Sequence, residues 1–469
     1  MAAAPPGSLS LDGRTLEGGG QLLRIAVCLA ALTGSPVQIH NIRGNRSGGG
    51  GLKAQHLACV DWLGRACQAH VEGAVKCSRT LSFVPAGAKF GFPALPPVFK
   101  KQTLSDGRRV WDSSINIGTA GSTGLALQAV LPFVLFTRFP STLPIRLTFT
   151  GGTNVSGSPS FEYITQVLLP TLQALGFPEM HAKLEKRGWS HGGTSIGSFT
   201  LEISARAFVR WPEPFRLWRS EEQVGRLVRP SNVQATFIAP SSCHDHFRQR
   251  FRQALEDAFQ GGERAQPMDT EVTCENSKHD KRLYFIVVAT ISTGKQFPTH
   301  HATVLTVEDD PKYPLVRVGR DWLYDRKIRS HEAATDELVE QVLSSLQDEW
   351  RSGAYADEHL RDQLAIFQAL VNGQSWVFPG LDIPSQGRSE ERAEKGVPRK
   401  LRAPSLHTQT AEWVAAEMLG TNFDGNGYCE GAAYRPSVIK AFTTEDGKDH
   451  SGGFVTATLE NDMDNLKVS

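Results

Sequence analysis

What the sequence lacks narrows it first. Its seven cysteines (28, 59, 67, 77, 243, 274 and 429) are odd in number and scattered, and none forms a Cys-x-x-Cys pair. That argues against a disulfide framework and a structural zinc site, and for a reducing compartment. No apolar run reaches membrane-spanning length, and the opening Met1-Ala-Ala-Ala-Pro-Pro-Gly7 has no signal-peptide core. A soluble intracellular protein with no membrane partner is the expectation. Neither sign of charge dominates, with 50 Lys and Arg against 49 Asp and Glu. Any nucleic-acid surface must therefore be a local patch. Gly-x-x-x-x-Gly-Lys-Ser/Thr is absent, which excludes a P-loop enzyme, and so are His-Glu-x-x-His and the Lys-x-Asp-Gly of lysine nucleotidyl transferases. A nucleotide enzyme built on this chain needs a different nucleophile.

What is present is a chain long enough for two or three domains, with ample apolar content for a large core. Ser8–Asp12 reads as a strand, the turn Leu16 to Gln21 opens a helix striped by Leu22, Ile25, Ala26 and Leu29, and Val37–Ile42 alternates as a strand does. Arg43–Gly51 is a glycine-rich loop, and Leu52–Ala69 a helix carrying Gln55 and His56. Gly118–Gly124 then leads into a helix over Leu125–Val134, a strand over Ile145–Thr150, the turn Gly151-Gly-Thr-Asn154 and a helix over Tyr163–Leu175. The order of glycine-rich turn, helix with an internal Gln, and strand thus occurs twice. His359–Leu370 offers a third instance, which points to a degenerate repeat of βα units.

Residues 187–295 have a different texture, read as a compact inserted αβ domain. Phe199–Ile203 is a strand, Phe247, Phe251, Leu255 and Phe259 recur every fourth residue on a helix, and Leu283–Ala289 is a buried strand. Residues 1–186 and 296–469 then form a discontinuous large domain, in which Leu338, Val342, Leu346 and Trp350 stripe a further helix. The polar, mixed-charge stretch 383–402 reads as a disordered loop.

Chemistry is placed first on Leu401–Trp413. Pro404 stops what precedes it, and Ser405 or Thr408 can cap a helix that ends at Gly420, which leaves His407 at or just before its N-terminus. Unpaired N–H groups there attract anions, and the same positive end favours the neutral imidazole that a nucleophile must be. Alone, a histidine in this position is more often a cap or a surface residue. Cys243-His-Asp-His246 has ligand-type residues but precedes a surface helix, so solvated polar groups are the better reading. In Glu17-Gly-Gly-Gly-Gln21 the glycines let backbone N–H groups approach phosphate while Glu17 holds a divalent ion; a tight turn with a capping carboxylate is the alternative. Arg43, Arg46 and Lys53 suit polyanion contact or an ordinary solvated loop. Asp362 and Gln363, on an otherwise apolar helix, are either structural hydrogen-bonders or adenine and ribose contacts.

Taken in order, Leu11-Asp-Gly13, Glu17–Arg24, Ile42–Arg46, Gln55-His-Leu57, Gly118–Ser122 with Gln128, Gly151–Asn154, Leu360–Leu364 and His407-Thr-Gln-Thr410 resemble the RNA 3′-terminal phosphate cyclases along nearly the whole chain. The resemblance implies an α+β fold: a large domain of three repeated units, each with two helices on a four-stranded sheet, and a smaller inserted αβ domain. It implies ATP-dependent conversion of an RNA 3′-phosphate to a 2′,3′-cyclic phosphate through histidine–AMP and RNA-adenylate intermediates. His407 matches the nucleophile. Gln128, Pro159 and His359, Leu360, Arg361, Asp362 and Gln363 match the ATP site, Glu17 the site of Mg2+ or Mn2+, and Arg24, Arg43, Arg46 and Gln55 the contacts to RNA.

The sequence departs from the family pattern at Arg187-Gly-Trp-Ser-His-Gly-Gly-Thr194, which lacks the usual proline and shortens the glycine run. Glycines also replace the Pro-Gly usual after Arg46, and His359 stands where Tyr is common. The alternative to catalysis is a non-catalytic, cyclase-like scaffold for ribosomal RNA processing, whose members lack the nucleophilic histidine. The nucleus (nucleoplasm) is expected rather than the cytoplasm, although Arg399-Lys-Leu-Arg402 is too short to count as a nuclear signal.

Overall fold

The computed structural model describes residues 7–46, 48–86, 96–137, 143–205, 214–217, 229–259, 268–291, 316–382, 400–432 and 434. The chain begins with β1 (Leu9–Asp12), α1 (Gln21–Thr33), β2 (Val37–His40), α2 (Ala54–Ala66), β3 (His70–Glu72) and β4 (Leu81–Val84). The sheet order is β1-β2-β4-β3, with β1 parallel to β2 and the other pairs antiparallel. Next come β5 (Lys100–Thr103), β6 (Arg109–Asn116), α3 (Thr123–Phe136), β7 (Ile145–Gly151), α4 (161–174), β8 (Met180–Lys186) and β9 (Gly197–Ile203). These give β5-β6-β7-β9-β8, again with one parallel pair, β6 and β7, at its centre.

After β10 (Arg216–Leu217) the chain builds a separate sheet from β11 (Asn232–Ala239), α5 (His244–Ala258), β12 (Asp269–Asn276), β13 (Tyr284–Ile291) and β14 (Val316–Leu323), ordered β12-β11-β13-β14. Helix α6 (His331–Ser352) packs on α5, β13 and β14. Then α7 (Glu358–Leu370), β15 (Asn372–Val377), α8 (Leu406–Leu419), β16 (Asn422–Phe423) and β17 (Tyr428–Ala432) complete a sheet ordered β10-β15-β17-β16, its one parallel pair being β10 and β15. The expected α+β class is what the protein has. Strand pairing groups some residues otherwise than the sequence reading does. Gly197–Ile203, expected in the insertion, pairs between β7 and β8 because its alternating Phe199, Leu201 and Ile203 complete the core of that sheet. Val316–Leu323, expected outside it, is the edge strand beside β13. Of the stretch expected to be disordered, residues 383–399 lie outside the described residues, while Leu401 bridges Leu381 and Arg402 meets Glu349.

Helix α1 is the pivot. Every residue from Gln21 to Leu32 is buried, because α2, α3 and α8 all pack against it. A helix apolar all round belongs in a core. It stops at Gly34, whose φ of 74° is the left-handed cap that donates back to the Ala30 carbonyl. In α3, Pro132 has no N–H for the Gln128 carbonyl one turn earlier, and α4 widens into a π-helical turn over Ile164–Leu168 just before Pro170. The stripe Phe247, Phe251, Leu255 and Phe259 is buried as expected, with Phe247 stacked on Phe237 at 4.0 Å. No helix among the described residues is long and apolar enough to cross a membrane.

Candidate active site

A cavity of about 560 Å3 opens where five helices begin. Gln21 and Arg24 come from the start of α1, Gln55 and His56 from α2, Leu125 and Gln128 from α3, His359, Asp362 and Gln363 from α7, and His407 from α8. Each helix start carries unpaired N–H groups and a partial positive charge, so their convergence favours an anion before any side chain is counted. Arg24, Arg43, Arg46 and Lys53 add formal charge to the same side.

Ser405 caps α8, its hydroxyl accepting the Thr408 N–H at 3.1 Å, so the helix starts at Leu406 and His407 lies in its first turn. The His407 Nδ1 is 2.6 Å from Gln21 Oε1. An amide oxygen only accepts, so Nδ1 carries the proton and Nε2 keeps its lone pair. Although the ring reaches solvent, desolvation and then Arg24 and Arg46 hold its pKa below the ordinary histidine value. At neutral pH it is an oriented, unprotonated imidazole.

The glycine run is explained by what fills the space around it. A Cβ at Gly19 would collide with the Glu17 carboxylate, and one at Gly20 with the His56 ring. Gly18 adopts φ +60°. The Glu17 N–H donates to Thr410 Oγ1 at 3.2 Å, which ties this turn to α8. The Glu17 carboxylate is nearly buried. One oxygen pairs with Arg46, and the other is buried with no partner. A leftover carboxylate oxygen is the donor a hard divalent cation takes, and such ions need only one or two protein carboxylates when phosphates supply the rest. Among the described residues no cluster of three or more His, Cys, Asp or Glu could hold a metal unaided.

Arg24 is 6% exposed and donates through Nε to Gln128 Oε1 at 3.1 Å. Burial lowers its pKa to about 10 against the opposing pull of Cys59 and Asp362, so it stays charged. Asp362 is the mirror image: burial lifts its pKa to about 7, and Arg24 opposes the rise. His56 accepts the Lys53 N–H on Nδ1, and burial followed by Arg24, Arg43 and Lys53 drops its pKa to about 3. It is a neutral spacer under Gly20. Arg43 is turned inward to the carbonyls of Gly49, at 3.2 Å, and Gly51, at 3.5 Å, while Arg46 is exposed. Gln55 accepts the Ser122 N–H at 3.0 Å, joining α2 to the start of α3, and still lines the cavity. Pro159 lines it too, on a loop that comes so close to α3 that a Cβ at Gly124 would meet its carbonyl oxygen.

The opposite wall comes from the sheet of β11–β14. Tyr284 on β13 donates to Asp321 Oδ2 on β14 at 2.9 Å, and its hydroxyl is 2.6 Å from Ser160 Oγ. Trp322 and Leu323 lie beside them, and the Tyr163 ring stands edge-on to His359 at 6.3 Å. Burial raises the Asp321 pKa, with His359 opposing.

Of the residues singled out in the sequence, Glu17, Arg24, Arg43, Arg46, Gln55, Gln128, Pro159, His359, Asp362, Gln363 and His407 line this one cavity. Leu360 and Arg361 do not. With 359, 362 and 363 on the cavity face of α7, the helical period turns Leu360 into the core and Arg361 toward α8 and Gly425. Gln21, His56, Tyr163, Tyr284, Asp321 and Trp322 were not singled out. Gln21 and His56 sat inside quoted motifs, whereas the others carry no local signal. His244 and His246 are taken by the Ala239 carbonyl and Asp336. Arg187 is a largely buried clamp, 14% exposed, between Glu162 and Glu275, at 2.6 and 2.5 Å, rather than a cavity residue. Gly188 lies where a Cβ would strike the Gly151 carbonyl.

The chain is similar to proteins of one known family. A family model described as RNA 3′-terminal phosphate cyclase matches residues 15–424. A protein of that name from Methanosarcina mazei is 34% identical over 420 residues, spanning 88% of this chain and 96% of the relative. The one from Methanosarcina barkeri is 26% identical over 415 residues, with 88% and 96% covered. That from Pyrococcus abyssi is 27% identical over 434 residues, with 92% and 98% covered. The chain belongs to the RNA 3′-terminal phosphate cyclase family.

Proposed function

We propose that the protein is an active, ATP-dependent cyclase that converts an RNA 3′-phosphate end to a 2′,3′-cyclic phosphate. The observation that carries this reading is the His407–Gln21 bond, which leaves a neutral imidazole with Nε2 free beside a cavity of converging helix starts. In the first step Nε2 attacks the α-phosphorus of ATP, forming an N–P bond as pyrophosphate leaves. A 3′-phosphate oxygen of the RNA then attacks that phosphorus and returns the imidazole, giving an RNA–adenylate anhydride. Finally the neighbouring 2′-hydroxyl loses its proton, attacks the RNA phosphorus and expels AMP.

Arg24 and Arg46 suit charge building on the phosphates, as positioning and electrostatics dominate phosphoryl transfer. Glu17 is the residue to hold Mg2+ or Mn2+, which would offset phosphate charge when bound. Gln128, Pro159, His359, Asp362 and Gln363 fit the nucleoside end, and Arg43 and Gln55 the flank facing RNA. The runs β1-β2-β4-β3, β6-β7-β9-β8 and β10-β15-β17-β16 share one chain order, in which the second strand is parallel to the first and the fourth and third follow antiparallel, whereas β12-β11-β13-β14 has another; we infer that the three are copies of a single unit.

The test is incubation with α-labelled ATP and Mg2+ or Mn2+, beside His407→Ala. Label that survives denaturation, is acid-labile and alkali-stable, and is lost in the variant is the expected result. Addition of a 3′-phosphorylated RNA should then discharge it as AMP with a cyclic end formed. Folded protein that takes no label with either metal would overturn the reading in favour of a non-catalytic scaffold.

A further inference from the structure

Arg361 turns away from the nucleotide cavity and faces a smaller one on the other side of the first turn of α8. This second cavity, about 70 Å3, is lined by Arg361, Arg402, Glu358, Ser405 and Thr408 among others. It would hold a few waters or one small ion, and is far too small for a nucleotide. Arg361 is 6% exposed. Its Nη2 donates to the Gly425 carbonyl at 3.2 Å, yet its Nε–H is buried with no partner at all. An unpaired buried donor is costly, the more so on a charged group, so a missing acceptor is indicated.

Two further observations point the same way. Of the helix N–H groups Ser405 takes only that of Thr408, whose hydroxyl it also meets at 3.1 Å, so the N–H groups of Leu406 and His407 precede any intrahelical acceptor at the start of a 14-residue helix. Arg402 brings a second guanidinium, held at 2.7 Å by Glu349, and its charge, after burial, depresses the Arg361 pKa. The nearby carboxylates are engaged elsewhere or stand back: Glu349 is shared by Arg320 and Arg402, Glu358 is no closer than 3.6 Å to either, and Asp357 and Asp424 act on Arg320 and Arg361 through space. Glu412, 3.9 Å from Arg361, is pushed by burial to a pKa of about 7.

We propose that this cavity is a second anion site, distinct from the nucleotide cavity, that takes a free tetrahedral oxyanion of the phosphate class. The Arg361 Nε–H, the Arg402 guanidinium and the first N–H groups of α8 are its donors. Binding there does not depend on the cyclase reading, since neither His407 Nε2 nor Glu17 takes part.

The full-length protein is titrated with inorganic phosphate while its melting temperature is followed, with chloride matching the ionic strength. Ligand binding to the folded state should give a saturable rise of roughly 2–4 °C. The rise should persist in the Arg43→Gln/Arg46→Gln protein, which has lost cations of the main cavity. It should vanish in Arg402→Gln, a position 35% exposed whose partner Glu349 keeps its second ion pair with Arg320. AMP, too large for the small cavity, should shift wild type and Arg402→Gln equally. The proposal fails if wild type shows no saturable rise, if the rise survives in Arg402→Gln, or if it is lost in the Arg43/Arg46 protein.

Discussion

The two walls of the large cavity are built in opposite ways. One is local and cationic: Glu17 to His56 supplies the glycine turn, Gln21, Arg24, Arg43, Arg46 and Lys53 within a short stretch of chain. The other is assembled by strand pairing and is aromatic, with a single carboxyl, Asp321. Tyr284 and Asp321 meet because β13 and β14 run antiparallel, Tyr284 opposite Leu323 and Ile286 opposite Asp321. ATP has the same asymmetry, with charged phosphates at one end and an apolar base at the other. The difference implies that the cationic wall governs chemistry, and that the aromatic wall governs fit and stability.

The largest expected effect lies on the first wall. Gln21→Leu removes the acceptor that fixes the His407 tautomer while leaving an apolar residue at a buried helix start. Loss of a tautomer-holding group costs roughly 10^2–10^4 in rate, so self-adenylylation should fall by at least about 10^2 with the melting temperature little changed. Gln21→Glu keeps an acceptor and should restore most of the rate, with its acid limb moved to higher pH by the added carboxylate. Rates for Gln21→Leu within about threefold of wild type would break the assignment of chemistry to this wall.

Asp362, beside Arg24 in the cavity, separates stability from function. Its folded pKa of about 7 lies above the unfolded value of 3.8. Between these values the folded state binds more protons than the unfolded one, so stability falls as pH rises through this window and is flat above it. The full shift corresponds to roughly 4 kcal/mol of destabilisation at pH 8. Asp362→Asn should therefore be more stable than wild type at pH 8, by up to about that amount, and the gain should fade toward pH 4. Urea unfolding at the two pH values measures it. Labelling by ATP should fall in the same protein, because Arg24 loses its counter-charge. A variant less stable at pH 8 would show that Asp362 is a structural partner and not a strained site group.

How legible each wall was follows from how it is made. Glycine runs leave a mark in sequence because only they leave space for Glu17 and His56, and a histidine after Pro404-Ser405 marks a helix start. The cationic wall could therefore be read almost residue by residue. Asp321, Trp322 and Tyr284 belong to strands whose pattern only says that they are buried; which of them face a cavity depends on register across 37 residues of chain. Arg361 was misplaced for a related reason. The motif Leu360–Leu364 is continuous in sequence, but a helix spreads it over its whole circumference, so only His359, Asp362 and Gln363 share the cavity. Arg187 kept its place in a recognisable signature, yet its role as a clamp rests on Glu162 and Glu275, one of them 88 residues away.

The smallest effect is expected on the second wall. Tyr284→Phe deletes the hydroxyl that donates to Asp321 and meets Ser160, and leaves the ring packing intact. Removing one partner from a buried polar pair costs about 1–3 kcal/mol. The loss should depend on pH, because the hydroxyl stabilises the charged form of Asp321, whose pKa burial already raises. The deficit should be full where Asp321 is ionised in wild type and should shrink as acid protonates it in both proteins. Chemical unfolding across pH reads this directly. Self-adenylylation at saturating ATP should change by less than about threefold, any change appearing in KM for ATP. Collapse of the labelling rate in a protein still folded would mean that the Ser160–Tyr284–Asp321 chain acts on the reacting groups. The division between a chemical wall and a fitting wall would then have to be abandoned.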